Sequence, residues 1–154
     1  MLYEAIKTLH ILSATILFGT GIGIAFFMFR SHATTDLQGK LYAARNTVLA
    51  DMIFTLPAVI IQPLSGIWLV MEGGYGWNEA WLLATYALYA LAGVCWLPVV
   101  WIQIDLKRML QIAADTGAPL PQHYHGRFRL WFILGWPAFL GLVAIFFLMV
   151  AKPT

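Results

Sequence analysis

The sequence predicts an all-α polytopic membrane protein: an antiparallel bundle of four transmembrane helices with both termini outside. Three observations carry this. Hydrophobic residues make up 61% of the 154 and charged residues 10%, against about 25% charged in a typical soluble domain. The mean hydropathy is +0.78, and a soluble domain of this size has too little interior for so much apolar surface. Four apolar runs of about 20 residues, the length that crosses a hydrocarbon core, are divided by polar segments, with the basic residues gathered in alternate segments.

The expected spans are residues 5–29, 49–71, 81–104 and 130–150, forming one membrane domain over 1–154. The first run is too long for a signal peptide and lacks a small-residue cleavage motif, so it is expected to be retained. The first break, "RSHATTDLQGKLYAARNT", carries Arg30, Lys40 and Arg45. The third holds or adjoins Lys107, Arg108, Arg127 and Arg129, while the second, "EGGYGWNEA", has Glu72 and Glu79 and no basic residue. Seven of the nine Lys and Arg thus fall on one side. The positive-inside rule makes that side cytoplasmic. In a bacterial cell this is a multi-pass protein of the inner (cytoplasmic) membrane with periplasmic termini. Tyr3, Trp68, Tyr75, Trp77 and Trp81 suit an outer aromatic belt, and Trp101 and Trp131 an inner one. "GAPLP" in the third break predicts an ordered turn after an amphipathic tail to the third span. Lone Cys95 lies in an apolar run and reads as a packed hydrophobe, with no disulfide framework.

Polar and glycine residues inside the spans are the functional candidates. Gly19, Gly21 and Gly23 do not fit a dinucleotide loop, which needs G-x-G-x-x-G between strand and helix. Thr15, Gly19 and Gly23 recur every fourth residue. They form a groove suited to close helix packing or to clearance for a flat cofactor. Pro57, Pro63, Pro98 and Pro137 each free the carbonyl four residues earlier, at Ile53, Val59, Val94 and Ile133. In hydrocarbon these carbonyls need partners.

His10 sits about one turn inside the outer boundary, and an ionisable residue at that depth is costly. Its imidazole suits axial ligation of haem iron or a hydrogen bond across helices. Met71 and Met149 are at a comparable depth and could supply a thioether. Tyr86 and Tyr89, on the outer half of the third span, could hydrogen-bond a ligand. Gln62 is expected to bond between helices, and Asp51 to face inner-surface water or Arg45. On the cytoplasmic side His123 and His125, joined by His32, form a candidate metal site.

"KTLHILSATILFG" resembles the first span of the HemJ-type and CopD-type membrane proteins. "IFTLPAVIIQPLSGIWL" is similar to the HemJ Thr-Pro-Ala and Gly-x-Trp-Leu pattern, here Thr55, Pro57, Ala58, Gly66, Trp68 and Leu69. The Lys152–Pro153 ending matches as well. Over nearly its whole length the chain resembles the bacterial integral-membrane family of unknown function 2269 (DUF2269). The HemJ resemblance implies a four-helix inner-membrane protein that binds haem b and oxidises protoporphyrinogen IX. It places His10 at the first-span histidine, as haem axial ligand, and His32 near the histidine that ends that span. The sequence departs from that pattern at several points. Leu17 or nearby aliphatics stand where HemJ has Trp, "IAFFMF" lacks its Arg, the third span lacks its Lys and His, and apolar residues precede Pro137 where HemJ has Asn-Glu.

The resulting expectation is a haem b protein engaged in electron transfer or in oxidoreduction of a hydrophobic reductant, porphyrinogen- or quinone-linked. Its partners would be the lipid bilayer, quinone, a respiratory membrane protein or a second copy, and not nucleic acid. A non-catalytic subunit or scaffold that packs against a larger membrane complex is the alternative reading. Metal or solute transport, which the CopD likeness implies, is a third.

Overall fold

The computed structural model describes residues 1–153. Helix α1 is Leu2–His32, α2 is Leu37–Ala50, α3 is Leu56–Glu72, α4 is Ala80–Thr116 and α5 is Tyr124–Ala151. A π-helical turn, Asp51–Thr55, joins α2 to α3 in one continuous rod. Among the described residues there are four rods long and apolar enough to cross a membrane, and they alternate in direction. Both ends of the described chain lie with the short α3–α4 connection, at what we call the terminal end. The other, basic end carries Arg30, Lys40, Arg45, Lys107 and Arg108.

The rods run well past the apolar runs. The 36-residue α2–α3 rod is about 54 Å long at 1.5 Å per residue, against a hydrocarbon core of about 30 Å. The first polar break is mostly helix because its apolar residues follow helical spacing: Leu41, Ala44 and Thr47 are all buried. Asp36 caps α2 by accepting from the backbone N–H groups of Gln38 and Gly39, both at 3.0 Å. Gly39 permits this, since a Cβ there would lie 2.8 Å from Asp36 Oδ2. Asp36→Ala should destabilise the fold by about 1 kcal/mol, the usual cost of an N-cap. The check is denaturant titration followed by circular dichroism. At the end of α4, Gly117 adopts φ 70° and its N–H bonds Ala113 O at 2.9 Å, a left-handed stop that glycine adopts without strain.

The apolar core is concentrated at the basic end. Met28, Leu41, Ile102, Leu106, Leu110 and Phe128 pack there, with Tyr124 and Trp131. Trp131, expected in the inner aromatic belt, is instead 4% exposed: it lies against Phe128 on the α4-facing side of α5. Trp101 is exposed, beneath the Arg127 guanidinium at 4.6 Å. At the terminal end Trp81 is also buried, donating to Glu79 Oε2 at 2.5 Å with Tyr75 edge-on against it. Lys152 lies over both rings and donates to the Tyr75 hydroxyl.

The bundle is not evenly closed. α4 and α5 form the most extensive pair, α1 packs on α3, and α2 bridges α1 and α4. α3 makes no extensive contact with α4 or α5. A cleft of about 70 Å³ therefore lies between the spans, lined by Leu17, Val59, Tyr89, Ala92, Trp96 and Leu142 among others.

Candidate functional site

The seam between α1 and α3 is held by side-chain polarity rather than by apolar burial. Ser65 Oγ lies 2.6 Å from Ile61 O, one turn back on its own helix. A serine hydroxyl has one proton. His10 Nδ1 lies 2.7 Å from the same Oγ; when the Ser65 proton goes to the Ile61 carbonyl, Nδ1–H is the donor of this bond and Nε2 carries the lone pair. No residue among those described partners Nε2. Gln62 Nε2 donates to His10 O at 2.7 Å and to Ser13 Oγ, and Ser13 Oγ–H returns to His10 O at 3.1 Å. His10 is held at both its ring and its carbonyl.

Gly66 makes room for the ring. A Cβ at that position would lie 3.3 Å from His10 Cε1 and 4.0 Å from Nδ1. Sequence reasoning picked out Gln62 as a bond between helices, and the structure places it so. It passed over Ser13 and Ser65, and took Gly66 only as part of the HemJ-like Gly-x-Trp-Leu pattern. Their signal is spacing: Ser13 follows His10 by three residues and Ser65 follows Gln62 by three, so each pair shares a helix face.

Tyr89 lines the cleft. Its hydroxyl donates to Val59 O at 2.6 Å, the carbonyl that Pro63 leaves free, and this bond ties α4 to α3 across the cleft. Tyr86 is 40% exposed on the outer surface of the bundle. Met71 also points outward, and Met149 packs with the Val70–Trp81–Leu82 cluster. Neither joins His10.

The glycines of α1 are not packed against another helix of the chain. A Cβ at Gly19, Gly21 or Gly23 would meet nothing within 4 Å, and Thr15 is exposed beside them. Close packing within the bundle is therefore corrected: this face is open, because α3 and α5 meet α1 on its other sides. At the basic end His32 stacks on Phe128 at 3.8 Å and meets His125 edge-on at 5.3 Å. His123 does not complete the set. No group of three or more His, Cys, Asp or Glu side chains among the described residues is placed to hold a metal.

Asp51 departs furthest from expectation. Arg45 donates to Gln111 instead, and Asp51 is 2% exposed, enclosed with Thr47, Thr55 and Gln103. The π turn rotates it inward. Pro57 has no N–H and its ring would strike the Ile53 carbonyl in regular α geometry. The widened turn, with Leu56 N–H bonded to Asp51 O, accommodates it.

No curated protein and no solved structure matches the chain. One family model does, over residues 4–153, and its description is a predicted integral membrane protein. Four apolar rods with their exposed faces of Phe, Ile and Leu agree with it, and the chain belongs to this family of predicted integral membrane proteins, DUF2269.

Proposed function

We propose that the chain is a haem b protein of the bacterial inner membrane, with His10 as axial ligand and its basic end toward the cytoplasm. It would transfer electrons to or from a hydrophobic reductant or quinone. The observation that supports this is the setting of His10: an imidazole whose Nδ1 is paired with the Ser65 hydroxyl at 2.7 Å and whose Nε2 has no partner among the described residues. Metal-ligating histidines carry this kind of partner on the far nitrogen, which fixes the tautomer and raises ligand basicity. The donor chemistry therefore fits haem iron. The 70 Å³ cleft is too small for a macrocycle and is not lined by His10, so the support is the donor chemistry of the imidazole.

Haem, when bound, supplies a one-electron couple whose potential depends on its axial ligand and the polarity around it. The chain's own part is positional. Ser65 orients the ring, Gln62 and Ser13 fix the His10 backbone, and Gly66 gives the imidazole its space. The departures from HemJ at Leu17 and in the third span leave the HemJ polar set unreproduced, so the support extends to binding and electron transfer.

The test is an absorption spectrum of protein purified from haem-supplied cells. A redox-sensitive Soret band is expected, and His10→Ala should abolish it. Ser65→Ala should retain the band while weakening haem retention by about 10- to 100-fold. A colourless wild-type protein, or an unchanged band in His10→Ala, overturns the reading. A colourless protein that co-purifies in stoichiometric amounts with larger membrane partners would instead mark a non-catalytic subunit. A copper-dependent phenotype would mark transport.

A further inference from the structure

The enclosure around Asp51 is a second polar centre, separate from His10. Ser65 and Asp51 are 14 residues apart on one rod, about 21 Å at 1.5 Å per residue. Asp51 is 2% exposed, Thr55 3% and Gln103 3%, and Thr55, Gln103 and Trp96 all face the carboxyl. Asp51 Oδ2, Thr55 Oγ1 and Gln103 Oε1 are each sealed from solvent and complete no hydrogen bond of regular geometry. Three sealed oxygens from two spans thus gather here, with the Thr55 hydroxyl, the Gln103 amide and the Trp96 indole turned to the carboxyl. Buried polar atoms without partners are rare in native folds and signal something that satisfies them.

Charge narrows what that is. A carboxyl enclosed in an apolar bundle either holds a proton or needs a counter-charge. Arg45 is engaged by Gln111, and Arg127 by Asp105 at 3.5 Å. No ion pair among the described residues reaches Asp51. We propose that Asp51, Thr55 and Gln103 form an intramembrane site for a dehydrated monovalent cation of sodium's size.

A single positive charge neutralises the one carboxylate, whereas a divalent ion would leave a net charge in a poorly polarisable interior. The donors are carboxylate, hydroxyl and amide carbonyl, all hard oxygens suited to hard cations. A proton on Asp51 would bridge only two of the three oxygens, while a cation contacts all of them. The π turn adds to the case. Pro57 supplies no N–H, so a carbonyl in this turn lacks its helical donor. Interrupted membrane helices present such groups to cations.

Trp96, beside the carboxyl, provides a signal. The full chain in lipid nanodiscs would be titrated at fixed pH and ionic strength, exchanging choline chloride for sodium, lithium or potassium chloride. Tryptophan fluorescence and melting temperature are the readouts. A saturable, sodium-selective change in fluorescence with a rise in melting temperature is expected. Asp51→Asn should abolish both. Thr55→Val, which keeps the carboxylate and removes one oxygen, should raise the half-saturating sodium concentration at least about tenfold, the worth of one contact to a charged group. Identical behaviour in sodium and choline overturns the proposal, as does a response to pH alone or a sodium response that survives Asp51→Asn. Should Asp51→Asn fail to fold, the wild-type and Thr55→Val titrations decide between these outcomes.

Discussion

Gly66→Leu is expected to dislodge His10 and open the α1–α3 seam. The first carbon of the new side chain would already lie 3.3 Å from His10 Cε1, and its branched end has no direction along the seam that avoids the imidazole. The ring must leave Ser65, and the Ser65 hydroxyl and His10 Nδ1 lose each other. Overpacking of this kind costs about 1–3 kcal/mol, to which the broken bond adds roughly 1 kcal/mol. Gly66→Ala asks the ring to yield only a few tenths of an ångström and should fall near wild type. Thermal unfolding in detergent measures the stability change. Modification by diethyl pyrocarbonate, followed by mass spectrometry at His10, measures release of the ring without reference to any ligand. A Gly66→Leu protein with wild-type stability and unchanged His10 reactivity would mean that the imidazole has another seat.

The same seam shows how a loosely packed membrane bundle obtains a defined geometry. In lipid, apolar contact between helices gains little over contact with acyl chains, so polar bonds and small residues decide the register. Here the register of α1 on α3 is set by His10, Ser13, Gln62 and Ser65 together with Gly66. The basic end uses apolar burial, and there the Met28–Leu106–Phe128 core forms. One sequence thus uses two kinds of cohesion, divided by depth.

This division also decides what could be read from the sequence. Span number and order follow from run length, because hydrocarbon thickness imposes it. Gln62 was legible because an amide in a span must find a partner, and a neighbouring helix is the nearest source. Asp51 was misread because a hydropathy run gives depth and not direction. Its inward turn depends on the π register that Pro57 imposes six residues later, and uniform 3.6-residue periodicity does not show that. The α1 glycines were readable as a groove but not as an open one, since what lies opposite depends on where α3 and α5 pack. Helix α2 was obscured by its polarity: its buried Leu41, Ala44 and Thr47 are too widely spaced to register as an apolar run.

Tyr89→Phe should destabilise the bundle by about 1–3 kcal/mol, the cost of leaving a buried carbonyl without a donor, and Pro63→Ala should remove most of that cost. Pro63 cannot donate to Val59 O, so the carbonyl is satisfied from another span by the Tyr89 hydroxyl at 2.6 Å. An alanine at 63 restores the N–H that would close the helical bond to Val59 O. The carbonyl then has a donor in its own helix, and loss of the phenolic hydroxyl leaves nothing unpaired. A double-mutant cycle on thermal or SDS-induced unfolding should therefore give a coupling energy of about 1–2 kcal/mol, in the range of residues that share one bond network. Additive effects would show that Tyr89 acts through packing against the cleft alone. The expected coupling would show instead that the kink at Pro63 and the α3–α4 crossing are one device, in which proline opens the cleft and tyrosine fixes its width.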